Sequence, residues 1–332
     1  MAVVTRSLSE AISSPRRLGP NTLLQGTALR AADQSRFGRM MVIANNEHRF
    51  LVAEQLAAIG ISNATLVLEP IARNTAPAAA VAAIQAQEAD ADALLLLMPA
   101  DHTIEDPAAF AAALEAGFSA AREGRIVLFG ITPDRPATGY GYIEAGAPIS
   151  ERTRKVAAFV EKPDLATAER YVAGGSHFWN SGIVLVSARV LLQELERFVP
   201  DVVSAARAAL VNGERDLDFL RLSISEFEKS PSISLDHAVM EHTDRAAFVP
   251  VSCGWSDVGA WSALSDVQPK DASGNVRSGD VVVENARNCY LRGDNVMVAA
   301  IGVEDLIVVA TGDVVMVTRK GHDEDLKRLV TK

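Results

Sequence analysis

Residues 94–102 read LLLLMPADH, four leucines and a methionine that run into Asp101 and His102. A carboxylate at the end of so apolar a run is a candidate for chemistry. It can act as a base, accept from hydroxyls or hold a metal. A second carboxylate, Asp257, lies in CGWSDVGAW (253–261), between the turn-forming Gly254 and Gly259. Proteins usually hold Mg²⁺ with one or two carboxylates plus substrate phosphates, so Asp101 and Asp257 form a candidate metal pair. The competing readings are a solvated loop for Asp101 and a helix cap for Asp257. In the first segment Asp106 already fills the cap role.

Four further stretches carry more polar chemistry than plain turns need. TGYGYIE (138–144) sets two glycines at the start of a strand, where Gly141 would let a ligand approach the backbone closely. VEKPD (160–164) offers Glu161 as an acceptor for sugar hydroxyls and Lys162 as a point charge for phosphate, or the two as a surface ion pair. HFWNSGIVLVS (177–187) offers Asn180, whose amide both donates and accepts, or simply a satisfied turn. LEPIARNTAPA (68–78) joins a strand end to a helix N-terminus that suits an anion or the polar edge of a base. Glu69 and Asn74 are its candidates for base contacts, and Arg73 could pair with phosphate or with Glu69. The six histidines form no metal spacing and no triad, and read as structural.

The elements that must position these residues follow from periodicity. MMVIA (40–44), ATLVL (64–68), ALLLLM (93–98) and RIVLFG (125–130) are apolar without alternation and are separated by helical patterns. That pattern predicts a parallel sheet covered on both faces. Helices are expected over 45–59, over 74–89 and after Asp106-Pro107 (N-cap and N1), with Phe110, Leu114 and Phe118 as the last one's buried stripe. In an open parallel sheet ligands bind outside the carboxyl ends of the strands, so Asp101 would project into the ligand crevice. From about residue 263 the signal becomes short strands with turns and no helix until about Asp323. The expected organisation is therefore a larger α/β domain over 1–262 and a small β-rich domain over 263–332, stacked or solenoid-like.

Composition narrows the function classes. Hydrophobic residues make up 48% of the 332, enough for a sizeable core. Cys253 and Cys289 build neither a disulfide framework nor a zinc site, which fits a reducing cytoplasm. No stretch approaches the roughly 20 apolar residues of a membrane span, and the first residues hold no signal-peptide core. A net charge of −10 argues against nucleic acid as a partner.

Eight segments in one order, NNEHRFLVAEQL, LEPIARNTAPA, LLLLMPADH, FGITPDRPATGYGYIE, FVEKPD, FWNSGIVL, SLDHAVME and GWSDVGAW, resemble the sugar nucleotidyltransferases, and within them the bacterial mannose-1-phosphate guanylyltransferases. The resemblance covers roughly 45–262, and DASGNV, NCYLR and IGVEDLIVVAT resemble that family's C-terminal portion. It implies an α/β fold, a Rossmann-like nucleotide-diphospho-sugar transferase domain with a small C-terminal β-rich domain. It implies GMP transfer from GTP to mannose 1-phosphate, giving GDP-mannose and pyrophosphate, with Mg²⁺ as cofactor. Asp101 and Asp257 would hold the metal. Gly141, Glu161 and Asn180 would contact the hexose, with Asp236 a further polar candidate, and Lys162 would meet the sugar phosphate. Glu69, Arg73, Asn74 and Thr75 would lie near guanine and ribose. The β-rich part could mediate a homodimer. Some relatives add an isomerase domain, for which the 332 residues leave no room.

The chain departs from the family at its start. There the family has a strand and a loop of the form G-G-S-G-T-R around the triphosphate. Here MAVVTRSLSEAISSPRR offers only Thr5-Arg6 as an echo, so Arg6 is the remaining candidate for the loop's arginine. Arg16 or Arg17 stands near the family's following lysine. The region 1–30 reads as a degenerate loop, with the first strand missing or shortened and a sheet edge exposed. The alternative readings are a sugar-nucleotide-binding homologue with little turnover, or a transferase for another sugar 1-phosphate and nucleotide.

Overall fold

A computed structural model of the chain describes residues 2–5, 17–18, 21–216 and 218–322, with side chains described from residue 21 onward. It forms two compact units, the first running through Asn21–Trp255 and the second beginning at Ser256.

The first unit is built on an 11-stranded sheet. In chain order its strands are β1 (Ala2–Thr5), β2 (Met40–Asn45), β3 (Thr65–Glu69), β4 (Leu94–Pro99), β5 (Ile126–Ile131), β6 (Tyr142–Pro148), β7 (Arg154–Val160), β8 (His177–Ser187), β9 (Glu214–Asp216), β10 (Phe219–Arg221) and β11 (Ala246–Val251). Their spatial order is β9-β10-β3-β2-β1-β4-β8-β5-β11-β7-β6. The central strands β10, β3, β2, β1 and β4 are mutually parallel, as are β5 and β11. The sheet is mixed rather than wholly parallel: β8 runs antiparallel to both neighbours, β4 and β5.

A first strand missing or shortened, with an exposed sheet edge, was expected; the strand is present and short, and it lies at no edge. β1 pairs with β2 on one side and β4 on the other, with Val4 opposite both Val42 and Met98. Four residues are too few to show a period, but their place is the middle of the sheet rather than an edge.

Both faces of the sheet are covered. On one, Leu95 and Leu97 of β4 join Met41 and Ile43 of β2 beneath helices α3 (Thr75–Ala89), α6 (Ala188–Phe198) and α7 (Pro200–Val211). On the other, Leu96 and Met98 join Met40 and Val42 beneath α1 (Leu23–Arg30), α2 (Arg49–Ala58) and α4 (Pro107–Arg122). This is why LLLLM shows no alternation: successive side chains enter opposite cores that are both dry. Helix α3 has alanine at 8 of its 15 positions, so it can lie close against the sheet. Helix α4 starts as its sequence predicts, with the Asp106 carboxylate accepting the Ala109 N–H and Pro107 in the first turn.

In the second unit a short helix α8 (Trp261–Asp266) precedes four strands: β12 (Val276–Glu284), β13 (Tyr290–Ile301), β14 (Leu306–Ala310) and β15 (Val315–Arg319). Helix α8 carries helical structure past residue 263, where only strands and turns were expected. β12, β13 and β14 stack in parallel and β15 returns antiparallel. Buried Asn275 stitches the coils, donating to the Ala286 carbonyl at 2.8 Å and accepting the Cys289 N–H at 2.9 Å. This agrees with the expectation of a small stacked, solenoid-like part.

Candidate active site

The carboxyl ends of β2, β3, β4 and β10 lie along one edge of the sheet. Because β8 is reversed, Trp179 and Asn180, near its start, stand at that same edge, opposite Ile131 and Gly130. The edge gathers most of the residues singled out from the sequence.

One group is a polar cluster. The Asn180 N–H donates to the Gly141 carbonyl at 2.8 Å. The Asn180 amide donates to Asp236 Oδ1 at 3.0 Å and accepts the Gly182 N–H at 3.2 Å. Both ends of the amide are thus fixed. Glu161 faces Gly141 so closely that a Cβ there would stand 2.6 Å from Glu161 Oε2. Only glycine leaves the carboxylate in place. Lys162 Nζ lies 2.8 Å from Glu161 Oε1. Lys162 sits before Pro163 with φ +48, a left-handed conformation that costs a non-glycine residue on the order of 1 kcal/mol. Asp236 opens a short π-helical turn, Asp236–Met240, a deviation often found at functional sites. Burial and then the nearby Glu161 charge raise the Asp236 pKa to about 6, against the opposing pull of Lys162 and Asn180. Gly141, Glu161, Lys162, Asn180 and Asp236 are therefore one site.

The second group lies at the end of β3. Glu69 is 4% exposed, and its Oε1 has no hydrogen-bond partner among the described residues. Burial raises its pKa to about 8, so the carboxyl is largely neutral at pH 7. Arg73, which could pair with phosphate or Glu69, donates from Nη2 to the Glu228 carbonyl at 2.5 Å. Asn74, at φ +66, accepts the Thr75 N–H, and the Thr75 hydroxyl accepts the Leu235 N–H at 2.8 Å. Thr75 thus ties the start of α3 to the segment before Asp236, linking the second group to the first.

Asp101 follows β4 and is 6% exposed. Its turn is held from helix α1. Arg30 Nη2 donates to the His102 carbonyl at 2.8 Å and Arg30 Nη1 to Thr27 Oγ1 at 2.9 Å, while Thr27 Oγ1 donates to the Pro99 carbonyl at 3.3 Å. Burial lowers the Arg30 pKa to about 10, so the guanidinium stays charged near neutrality. Neither Arg30 nor Thr27 stood out in the sequence, since α1 carries no motif of its own.

Asp257 belongs to the second unit. It does not cap a helix: α8 begins at Trp261 with Ala260 in the cap position. Its Oδ1 accepts the Gly259 N–H at 3.1 Å. The next residue, Val258, is buried at φ +49, an outlier for a β-branched residue and a mark of a conformation held by its surroundings. Arg6 and Arg16 lie outside the described residues, as does the side chain of Arg17.

The sheet thus carries at its carboxyl edge a cluster of two carboxylates, one amide and one lysine, groups that can take hydroxyls and a phosphate. Comparison with known proteins agrees. The family description Nucleotidyl transferase matches residues 16–274, and MannoseP isomerase/GMP-like beta-helix domain matches 279–332. The chain belongs to the nucleotidyl transferase family. It is 45% identical over 315 residues to the xanthan biosynthesis protein XanB of Xanthomonas campestris pv. campestris, covering 95% of this chain and 67% of that one. It is 44% identical over 318 residues to a mannose-1-phosphate guanylyltransferase of Klebsiella pneumoniae, again 95% of this chain and 67% of the relative. The chain thus spans about two thirds of the length of these curated relatives. Among solved structures, a protein described as mannose-1-phosphate geranyltransferase from Thermus thermophilus superposes with a TM-score of 0.84 at 29% identity, covering 99% and 97% of the two chains. No helix among the described residues is long and apolar enough to cross a membrane.

Proposed function

We propose that the chain transfers GMP from GTP to mannose 1-phosphate, giving GDP-mannose and pyrophosphate. The observation that carries this is the single cluster of Gly141, Glu161, Lys162, Asn180 and Asp236. It joins fixed acceptors and an amide for hydroxyls to one cation for a phosphate. In the reaction a phosphate oxygen of the sugar attacks the α-phosphorus of GTP. The new P–O bond forms as the bond to the β-phosphate's bridging oxygen breaks, and that oxygen leaves with pyrophosphate.

Each residue then has a role. Glu161 and Asp236 accept from the hexose hydroxyls. Asn180 is oriented by Asp236 and Gly182, and Gly141 leaves room for the Glu161 carboxylate against its backbone. Lys162 exchanges its ion pair with Glu161 for the sugar phosphate, holding the nucleophile in line; such positioning is the larger part of catalysis in phosphoryl transfer. Glu69, Arg73, Asn74 and Thr75 border the guanine and ribose, and Arg6 meets the triphosphate. Asp101 and Asp257 are the carboxylates expected from the sequence to hold a divalent cation. Taken by itself, Asp101 offers hard carboxylate oxygens largely shielded from water, which suits Mg²⁺. When bound, the cation offsets charge developing on the phosphates.

The test is pyrophosphate release by the purified chain with GTP, mannose 1-phosphate and Mg²⁺. Release requiring all three is expected. GDP-mannose binding without release would instead favour the binding-protein reading that the atypical first residues raise. Release with another sugar 1-phosphate or nucleotide, but not with this pair, would move the substrate assignment.

A further inference from the structure

We propose that Thr75 is a positioning residue for the hexose end of the site, its hydroxyl fixing the entry to the turn that carries Asp236. This rests on the reading of Asp236 and Asn180 as hexose contacts.

Two helix starts meet here, and each satisfies a donor of the other. The first N–H groups of a helix have no partner within it. At the start of α3 the Ala76 N–H donates to the Ile233 carbonyl at 3.1 Å. At the turn bearing Asp236 the Leu235 N–H donates to the Thr75 hydroxyl at 2.8 Å, across 160 positions of sequence. Ser234 caps the same turn from within, its hydroxyl accepting the His237 N–H at 3.2 Å. Arg73 adds a third tie through the Glu228 carbonyl. Residues 73–76 and 228–235 are thus clasped together, and the Leu235 and Ala76 side chains share one core.

The clasp ends where the hexose cluster begins. Asp236 opens the π-helical turn, which the Glu241 N–H closes on the Asp236 carbonyl at 3.1 Å. A π-turn is a rare conformation, so an α-helical register competes with it. On a helix, a slip of one residue swings a side chain by about 100°. Such a slip would take Asp236 off the Asn180 amide, which it accepts at 3.0 Å. The Leu235 N–H is the donor immediately before Asp236, so its acceptor holds the position from which the register is counted. Leu235 is 6% exposed, and a donor so shielded is costly to leave without an acceptor. Removing the Thr75 hydroxyl therefore favours a rearranged turn. Thr75 stands at the start of α3, beside the nucleotide end, yet this hydrogen bond acts on the hexose end.

The clasp and the ligand can be read separately. Hydrogen exchange of the Leu235 amide, followed by NMR on ¹⁵N-labelled protein without ligand, reads the clasp. Calorimetry gives Kd for GDP and for GDP-mannose, and the ratio of the two reports what the hexose adds. Thr75→Val keeps the shape and removes the acceptor, and Thr75→Ala takes its place should the valine variant fail to fold. The Leu235 amide should then exchange about tenfold faster or more, and GDP-mannose should bind about tenfold more weakly, the worth of one good hydrogen bond. GDP affinity should stay within about twofold of the parent, far less than the loss of one such bond. Thr75→Ser, which keeps the hydroxyl, should restore both the slow amide and the GDP-mannose affinity. Equal weakening of GDP and GDP-mannose would overturn the proposal, because Thr75 would then act on the nucleotide. So would a Leu235 amide that exchanges as in the parent, or a faster one with GDP-mannose affinity unchanged. Asp236→Ala separates the two assignments. A GDP-mannose to GDP ratio unchanged in that variant removes the hexose role of Asp236 and this proposal with it. A ratio lost in Asp236→Ala but kept in Thr75→Val removes the role of Thr75 alone.

Discussion

Glu69 gives the sharpest quantitative test, because its carboxyl is buried with one oxygen unpartnered among the described residues and its pKa shift has a single cause, loss of water. The folded pKa is about 8 against an ordinary 4.5. A raised acid pKa means the folded state holds the proton where the unfolded chain has lost it. Folding stability is therefore greatest below the unfolded value and declines as pH rises toward the folded one. At one pKa unit per 1.36 kcal/mol, the cost is about 1 kcal/mol at about pH 5 and about 4 kcal/mol at about pH 8. Glu69→Gln keeps the shape and removes the ionisation. Its new amide hydrogens need partners, which adds an offset, but that offset does not change with pH. The reading is thus the difference between two pH values: the Gln variant should gain about 3 kcal/mol on the parent between about pH 5 and about pH 8. Urea denaturation at the two pH values, followed by tryptophan fluorescence, measures it. A gap between variant and parent that stays the same at both would refute the claim that Glu69 is held neutral by burial.

Three other outcomes are expected. In Gly141→Ala the added methyl stands 2.6 Å from Glu161 Oε2, so the carboxylate must move. The KM for the sugar phosphate should rise about tenfold, the worth of one good hydrogen bond, with the GTP KM little changed in steady-state assays. Burial, and then the Glu161 charge, raise the Asp236 pKa to about 6. Below it Asp236 is protonated and accepts poorly, so the sugar-phosphate KM should fall as pH rises through about 6, and Asp236→Asn should flatten that profile. Arg30→Met strips the partners from the His102 carbonyl and Thr27. It should lower stability by about 2 kcal/mol by urea denaturation and depress kcat through the loosened Asp101 turn.

The legible part of the fold was the part written locally. A strand dry on both faces must be apolar at every position, and LLLLM, MMVIA and RIVLFG say so on their own. Direction is not written that way. HFWNSGIVLVS reads the same whether it runs up or down, and what reverses β8 is where the preceding elements leave the chain. β6 and β7 form an antiparallel pair, helix α5 (Leu165–Gly174) follows, and β8 is entered at the edge where β4 and β5 end. The place of β1 was missed for a different reason. Its position between β2 and β4 comes from pairing on both sides, which four residues cannot announce.

The same division runs through the site. Asp101 could be singled out because following a buried strand is a local property, and Glu69 because it ends one. Their partners could not. The contact that requires glycine at position 141 is made by Glu161, and the amide of Asn180 is fixed by Asp236, 56 positions further on. His102 was set aside with the other histidines because nothing near it in sequence resembles a ligand or a triad, yet its ring meets an indole 153 positions away. A histidine therefore cannot be weighed by its neighbours in the chain. Its tautomer is decided by the groups the fold brings to its nitrogens. Here one of them is an indole, which can only donate.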